Sequence, residues 1–124
     1  MKNDKKTIFI VDDAKSNLEV YSSALADTYT VFTLDSALRL LKMLERVIPD
    51  LILLDVEMPD MDGYEALAKI KSDERFKNIP VIFISAHVGA TKETRGMELG
   101  AVDYIKKPVM IPILVRRIEK HIKG

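Results

Sequence analysis

Short apolar runs alternate five times with helix-like apolar stripes, and this alternation is the feature that most constrains the fold. The predicted strands are Ile8–Val11, Thr30–Thr33, Leu51–Leu54, Val81–Ser85 and Val102–Lys106. After each run, apolar residues recur every three or four positions, which is typical of helices with one buried face. Since parallel strands need helix-length crossovers, the alternation predicts an α/β fold, (βα)₅, with helices on both faces of a parallel sheet.

The predicted helices share an apolar stripe at helical spacing. The stripes are Ala14, Leu18, Tyr21 and Leu25; Ala37, Leu40, Leu41, Leu44 and Ile48; Tyr64, Leu67, Ala68 and Ile70; and Ile111, Leu114, Val115, Ile118 and Ile122. The fourth helix must lie within Gly89–Gly100, where Gly96 costs about 1 kcal/mol relative to alanine in a helix interior. This segment is either a loose surface helix or one kept marginally stable so that it can rearrange.

Length and charge set limits on domain number and function. The 124 residues are enough for one domain, which we expect to span 1–124. The 19 basic and 19 acidic residues cancel, so the charge predicts neither nucleic-acid binding nor attraction to an anionic membrane. The chain has no cysteine, no secretory-signal pattern and no apolar run long enough to span a membrane. We therefore expect a soluble, cytoplasmic protein without membrane insertion.

Chemically active residue types stand where the predicted strands end. Asp12 and Asp13 follow the first strand, Asp55 follows the third, Ser85 ends the fourth and Lys107 follows the fifth. Taken singly, each has an ordinary alternative: a helix N-cap for an aspartate, a capping or satisfied hydroxyl for the serine, and a solvated lysine. In a parallel sheet, however, ligands bind outside the carboxyl ends of the strands. Their joint occurrence therefore predicts one site at that edge of the sheet.

Three carboxylates in one place need protons or a cation, because two unit charges about 4 Å apart repel by roughly 4 kcal/mol at an effective dielectric near 20. Hard oxygen donors without a His/Cys ligand set favour Mg²⁺ or Mn²⁺. Asp13 and Asp55 are the expected direct ligands, and Asp12 is expected to act through water or through another ligand.

A carboxylate beside such an ion is either a ligand only or a nucleophile for a phosphoryl group. Lys107 favours the nucleophile, since phosphoryl transfer needs positive charge on the transferred oxygens, and Ser85 is placed to donate to one of them.

The chain resembles the response-regulator receiver domain, the phospho-acceptor module of two-component signalling. The matching segments are FIVDD, LILLDVEMPDMDG, VIFISA and DYIKKP, in the family's order and spacing along essentially the whole chain. The resemblance implies a doubly wound, flavodoxin-like three-layer sandwich whose five-stranded parallel sheet has the order 2-1-3-4-5. It also implies Mg-dependent transfer of a phosphoryl group from a sensor histidine kinase or a histidine phosphotransfer protein, in a signalling domain rather than a conventional enzyme.

Carried over by position, the resemblance makes Asp55 the phospho-acceptor and Asp12–Asp13 the acid pair. The implied metal ligands are Asp13, Asp55 and the backbone carbonyl of Glu57. Lys107, which directly precedes Pro108, matches the family's lysine, and the Lys107–Pro108 peptide is expected to be cis. Asp60 and Asp62 are expected to be turn or cap residues.

The resemblance also implies a switch. Ser85 matches the switch Ser/Thr and Tyr104 the switch aromatic, so we expect Ser85 to move toward a phosphoryl group and Tyr104 to turn inward in response. Glu57 and His87 correspond to positions that flank the route of the hydrolytic water; the alternative is two solvated rim residues. His121 is expected at the surface.

The expected output surface is formed by the fourth helix, the fifth strand and the fifth helix, and it would control a partner or output domain that the sequence does not identify. The basic residues Arg116, Arg117 and Lys120 form either a solvated face or a docking surface, which includes a phosphorylation-dependent homodimer as one use. Two rival functions are a phosphatase of the haloacid-dehalogenase class and an interaction module that is not phosphorylated. Whether the domain is free-standing or excised from a larger protein stays open at this point.

Overall fold

A computed structural model describes residues 5–87 and 89–122 and contains ten elements in the predicted alternating order. The strands are β1 (Thr7–Val11), β2 (Thr30–Leu34), β3 (Leu51–Asp55), β4 (Val81–Ser85) and β5 (Asp103–Lys106). The helices are α1 (Lys15–Leu25), α2 (Ala37–Leu44), α3 (Gly63–Lys71), α4 (Ala90–Glu98) and α5 (Ile111–His121). The predicted domain spans 1–124, of which residues 1–4, 88 and 123–124 lie outside the described residues.

The five strands form one parallel sheet of order β2-β1-β3-β4-β5, which confirms the predicted fold. The register pairs Val11 with Leu54, Asp55 with Ile84, and Ser85 with Lys106. The carboxyl ends of the four strands β1, β3, β4 and β5 are therefore nearly level. Residues that end or follow these strands meet at one edge of the sheet, called the carboxyl edge below.

The sheet divides the core into two layers, because successive strand residues face opposite sides. Phe9, Ile52 and Phe83 pack on the side of α2 and α3. Ile8 and Ile82 pack on the side of α1 and α5. Every residue of β3 and β4 is buried, as expected for central strands covered on both faces. Within the described part of the chain, no helix has the length and apolar character needed to cross a membrane.

Two of the predicted helical stripes are wrong in detail. α2 ends at Leu44, where the amide of Glu45 donates to the carbonyl of Lys42 in a tightened last turn, so Ile48 lies beyond the helix and is 55% exposed. In α3 the buried small residue is Ala66, whereas the predicted Ala68 is exposed. The apolar spacing alone allows either alanine on the buried face, and contact with the sheet decides between them.

Gly96 has a packing role that its helix propensity does not reveal. It is buried in α4, and a Cβ atom at this position would lie 3.0 Å from Cδ2 of Phe83 and 3.1 Å from Cδ2 of Tyr104. The absence of a side chain therefore lets α4 approach the β4 and β5 strands closely. Its cost in helix propensity is offset by this contact.

Helix α5 is held to the sheet through one carboxylate, by an ion pair with Arg117 and a hydrogen bond with His121. Arg117 Nη1 lies 2.6 Å from Asp103 Oδ1, and His121 Nε2 lies 2.9 Å from Asp103 Oδ2. The side chain of His121 is only 18% exposed, so the prediction of a surface histidine is wrong. Sequence spacing could not predict this contact, because it depends on how α5 packs beside β5.

The loop between β3 and α3 is tightly closed by two local features. Asp62 caps α3 by accepting from the Glu65 amide at 2.9 Å, and the Glu65 carboxylate accepts from the Asp62 amide at 3.1 Å. Asp60 adopts a φ of 70° in the turn. These observations confirm Asp62 as a cap and Asp60 as a turn residue. At Gly63 an added Cβ would lie 2.6 Å from the Asp55 carbonyl oxygen, so only glycine fits behind the end of β3.

Replacement of Gly63 by alanine is expected to lower the free energy of unfolding by about 1–3 kcal/mol, as for overpacking of a filled site. The clash is with backbone atoms of Asp55 and Val56, which no side-chain rotation can relieve. Chemical denaturation measures the loss. Gly89→Ser is the control, because an added Cβ there meets nothing within 4 Å and serine is a favoured N-cap. Equal stability of Gly63→Ala and the wild type would contradict the close approach.

Candidate functional site

Three carboxylates meet at the carboxyl edge, as the sequence predicts. One carboxylate oxygen from each of Asp12, Asp13 and Asp55 can be chosen so that all three lie within 4.8 Å of one another. Asp55 ends β3 and is 1% exposed, Asp12 follows β1 and is 2% exposed, and Asp13 is exposed. The level ends of β1 and β3 produce this arrangement, in which two of the three acids are shielded from water.

The Asp12 carboxylate is already engaged by the chain itself. Its Oδ1 accepts from the backbone amide of Ala14 at 2.9 Å, and its Oδ2 accepts from the Asn17 side-chain amide at 3.1 Å. This bonding suits the indirect role expected for Asp12 more than direct ligation. Asn17 was not predicted as part of the site, because it lies on the first turn of α1 among other polar residues and no feature of the sequence distinguishes it.

Asp55 differs from Asp12 because neither of its oxygens accepts a hydrogen bond from the described residues. The ammonium of Lys107 lies beside it, with Nζ 3.2 Å from Oδ1 as an ion pair. Burial and the nearby Asp12 charge raise the pKa of Asp55 to about 7, against the opposing effect of Lys107. A buried carboxylate with unused oxygen lone pairs is poised to bind a cation or to react.

Lys107 is a partner of the acids, so its interpretation as a solvated lysine is wrong. Its Nζ also lies 3.4 Å from Asp12 Oδ2, and its side chain is 21% exposed. Burial lowers the pKa of this ammonium, but Asp55 and Asp12 outweigh that effect and raise it overall. The Lys107 amide donates to the Ser85 carbonyl at 2.8 Å, and the Lys107–Pro108 peptide is cis, as expected.

The helix-cap alternative for Asp13 and Asp55 is wrong as well. The N-cap residue of α1 is Ala14, without a side-chain hydrogen bond, and α3 is capped by Asp62. Neither acid is therefore used to start the helix that follows it.

These residues fit a hard divalent cation. The donor set consists of carboxylate oxygens, which Mg²⁺ and Mn²⁺ prefer. Asp55 contributes two buried oxygens without hydrogen bonds from the described residues, and Asp13 is exposed beside it. Asp12 is held in place beside these two acids by its hydrogen bonds with Ala14 and Asn17. The ligand set itself, which includes the Glu57 carbonyl, stays a prediction.

Ser85 is buried and its hydroxyl is bonded to Glu57. Ser85 Oγ donates to Glu57 Oε2 at 2.5 Å, and the backbone amide of Ala86 donates to Glu57 Oε1 at 3.1 Å. Ser85 Oγ in turn accepts from the His87 amide at 3.0 Å. The interpretation of Glu57 as a solvated rim residue is therefore wrong for its side chain, whereas the side chain of His87 lies at an exposed position.

Tyr104 lies inward, the position that the resemblance expects it to take when the switch is thrown. It is 8% exposed, and its hydroxyl donates to the His87 carbonyl at 3.2 Å and lies 3.1 Å from the Tyr64 hydroxyl. The rings of Phe83 and Tyr104 pack edge to face with centroids 6.0 Å apart. Because Gly96 has no side chain, the Tyr104 ring has room in this position. The bonds of its hydroxyl to Tyr64 and to the His87 carbonyl stabilise it there. The partnership with Tyr64 was not predicted, because Tyr64 is only one of several apolar positions on α3.

The model of the response regulator receiver domain family matches residues 8–119. The chain belongs to this family. Of its relatives, a probable cyclic di-GMP phosphodiesterase of Vibrio cholerae is 42% identical over 95% of the chain, and the match covers 27% of that protein. PleD of Caulobacter vibrioides is 38% identical over 90% of the chain and 25% of its own length, so the chain spans about a quarter of each. The polar-differentiation response regulator DivK of Brucella ovis is 30% identical, with 94% of the chain and 96% of DivK covered.

Solved structures agree with this assignment. The BeF3-activated receiver domain of DrrB from Thermotoga maritima has a TM-score of 0.86 and 29% identity, with 95% of this chain and 97% of that domain covered. The protein is thus a receiver domain of two-component signalling, and the resemblance of its motifs to that family is confirmed.

The raised pKa of Asp55 predicts a pH dependence of stability in the absence of divalent cations. A carboxyl group whose pKa rises from 3.8 to about 7 on folding contributes full stability below about pH 4 and loses it as the pH rises through 7. Each pKa unit corresponds to about 1.4 kcal/mol. We therefore expect Asp55→Asn to become more stable than the wild type as the pH rises from 4 to 8, by denaturant unfolding in EDTA. A constant difference between the two proteins over this range would contradict the prediction.

Proposed function

We propose that Asp55 accepts a phosphoryl group from a sensor histidine kinase or a histidine phosphotransfer protein, in a reaction that depends on Mg²⁺ or Mn²⁺. The phosphorylated domain would then alter the surface formed by α4, β5 and α5 and so control a partner or output domain. The observation that carries the proposal is Asp55 itself, a buried carboxylate with no hydrogen bond from the described residues and with Lys107 at 3.2 Å. The proposed unit is a single receiver domain over 1–124.

Transfer of the phosphoryl group requires Asp55 to be ionised, because the carboxylate is the nucleophile. A carboxylate oxygen of Asp55 attacks the phosphorus atom of the phosphohistidine, the new O–P bond forms, and the P–N bond breaks as the imidazole leaves with the bonding electrons. Lys107 supports this step in two ways: its ammonium favours the ionised form of Asp55, and it lies beside the oxygen that reacts. Positioning and charge stabilisation supply most of the catalysis in such transfers.

Asp13, Asp55 and the Glu57 carbonyl would hold the metal ion, with Asp12 acting through water. When bound, Mg²⁺ would supply positive charge for the transferred phosphoryl oxygens, in addition to that of Lys107. The chain's own contribution is to gather the acids on level strand ends and to shield Asp12 and Asp55 from water. We propose a signalling role rather than that of a conventional enzyme, in which the domain assists its own phosphorylation and dephosphorylation.

The signal would leave the site through Ser85. A phosphoryl group adds roughly −2 charge and strong acceptor oxygens, to which the Ser85 hydroxyl can donate. The His87 backbone links Ser85 to the Tyr104 hydroxyl, and the Tyr104 ring contacts the position of Gly96 in α4. The α4–β5–α5 surface is also the proposed docking surface, whether for a partner or for a second phosphorylated copy.

Incubation with acetyl phosphate and Mg²⁺ is expected to add the mass of one phosphoryl group to the intact protein. Asp55→Asn should show no gain, because the amide is not a nucleophile for this transfer. EDTA should also abolish the gain, because the acids then lack their cation. Intact-protein mass spectrometry reads all three samples.

A matched control is Asp60→Asn, which removes one exposed carboxylate from the same loop and should be phosphorylated like the wild type. The absence of a mass gain in folded wild-type protein, repeated with phosphorylated kinase or phosphotransfer protein as donor, would contradict the proposal. It would favour the interaction module that is not phosphorylated.

Ser85→Ala is expected to keep the mass gain while weakening the structural response, since Ser85 is the proposed link rather than the acceptor. The measurement is the change in the amide NMR signals of β5 and α4 when beryllofluoride, a phosphoryl analogue, is added with Mg²⁺. We expect changes around Tyr104 to fall to less than half of those in the wild type, and Ser85→Thr to retain them because it keeps the hydroxyl. Changes of the same size in Ser85→Ala would show that the response follows another route.

A further inference from the structure

The Glu57 carboxylate occupies two hydrogen-bond donors that face the site. Its two oxygens accept from the Ser85 hydroxyl at 2.5 Å and from the Ala86 amide at 3.1 Å. A hydroxyl-to-carboxylate bond of 2.5–2.7 Å is in the charge-assisted class, which is roughly twice as strong as a neutral bond. Glu57 is thus fixed across the end of β4.

The single Ser85 proton cannot serve two acceptors at once. Its candidates are Glu57 Oε2 at 2.5 Å and the His87 carbonyl at 2.9 Å, and the shorter, charged acceptor is favoured. While Glu57 is in place, the hydroxyl is therefore not available to another anion. The Ala86 amide is in the same situation, since it too has one proton.

The bridging geometry identifies what kind of group these donors suit. One carboxylate spans a side-chain O–H and the next residue's N–H with its two oxygens, so the pair is spaced for two oxygens of a single oxyanion. A phosphoryl group on Asp55 presents such oxygens, and β3 and β4 pair directly with Asp55 beside Ile84, next to Ser85.

We infer that Glu57 is an internal stand-in for the phosphoryl group: its carboxylate holds the Ser85 hydroxyl and the Ala86 amide in the unphosphorylated protein, and it must release both before phosphoryl oxygens can bind there. This role rests on the proposed function. It assigns to Glu57 a positioning and competing role that is separate from metal binding by its backbone carbonyl.

Variants of Glu57 distinguish the effect of its side-chain length from the effect of its negative charge. Glu57→Asp keeps the negative charge but is one methylene shorter, so it should no longer bridge Ser85 and Ala86. Glu57→Gln keeps the length and loses the charge, and Asp60→Asn loses a charge in the same loop without touching these donors. Competition predicts an effect of Glu57→Asp, whereas simple repulsion of an anion predicts an effect only when a charge is removed.

Two readouts are used. Without divalent cations, the Ala86 amide proton should be shifted downfield in the wild type and in Asp60→Asn, and should move upfield in Glu57→Asp. With Mg²⁺, the same proteins are titrated with beryllofluoride, and Glu57→Asp should bind about tenfold more tightly than the wild type, because the competent state no longer has to displace an internal acceptor. Glu57→Gln tests whether removal of the charge adds to this gain.

An unmoved Ala86 amide signal together with wild-type affinity in Glu57→Asp would overturn the inference and leave the proposed function standing. Tighter binding in Glu57→Gln and Asp60→Asn but not in Glu57→Asp would also overturn it, in favour of charge alone. Failure of every folded variant to bind beryllofluoride would overturn the proposed function, and the inference with it. The Ala86 signal would then still report whether the hydrogen bond itself exists.

Discussion

Repulsion among acids at the carboxyl edge is the constraint on which the rest of the structure depends. Asp12 and Asp55 are buried within 3.4 Å of a single ammonium, that of Lys107, and Asp13 lies beside them. One positive charge cannot neutralise three negative charges, and each pair about 4 Å apart costs roughly 4 kcal/mol at an effective dielectric near 20. The parallel sheet holds the acids together regardless, because they end or follow β1 and β3, whose carboxyl ends are nearly level. The site is therefore stabilised by whatever supplies positive charge or a proton, which makes it responsive to a cation.

A continuous set of contacts connects this edge to the α4–β5 surface. Glu57 bonds to Ser85, the His87 backbone bonds to both Ser85 and Tyr104, and the Tyr104 hydroxyl meets that of Tyr64. Gly96 allows α4 to pack directly against the rings of Phe83 and Tyr104. A change in the position of the Tyr104 ring therefore changes the packing of α4. Such coupling can only redistribute existing conformations according to the differential affinity of the ligand.

The strands and the acids were predictable from sequence because both follow from short-range rules. Buried runs such as Leu51–Leu54 mark central strands, and in a parallel sheet their ends must meet, which brings Asp12 and Asp55 together without knowledge of the packing. The contacts of Asn17, His121 and the Glu57 side chain were not predictable. Each depends on the direction of a side chain after helices and loops have packed, and residue type and spacing do not encode that direction. Gly96 is similar: its propensity cost is visible in the sequence, but the rings that require it are not.

If Glu57 acts as a stand-in, the free energy that drives the switch is the difference between the binding of the phosphoryl group and the binding of the Glu57 carboxylate to the same donors. The carboxylate brings a charge of −1 and two oxygens, whereas a phosphoryl group brings roughly −2 and three strong acceptor oxygens. Exchange of one for the other gives the buried Ser85 hydroxyl an acceptor in both states, whereas a buried donor without an acceptor would cost about 1–3 kcal/mol. The driving force of the switch is therefore not the whole hydrogen-bond energy of the phosphoryl group but its excess over that of Glu57. A small excess makes the response reversible and sensitive to the residue at position 57, because a shorter or neutral side chain there changes the reference state rather than the phosphorylated one.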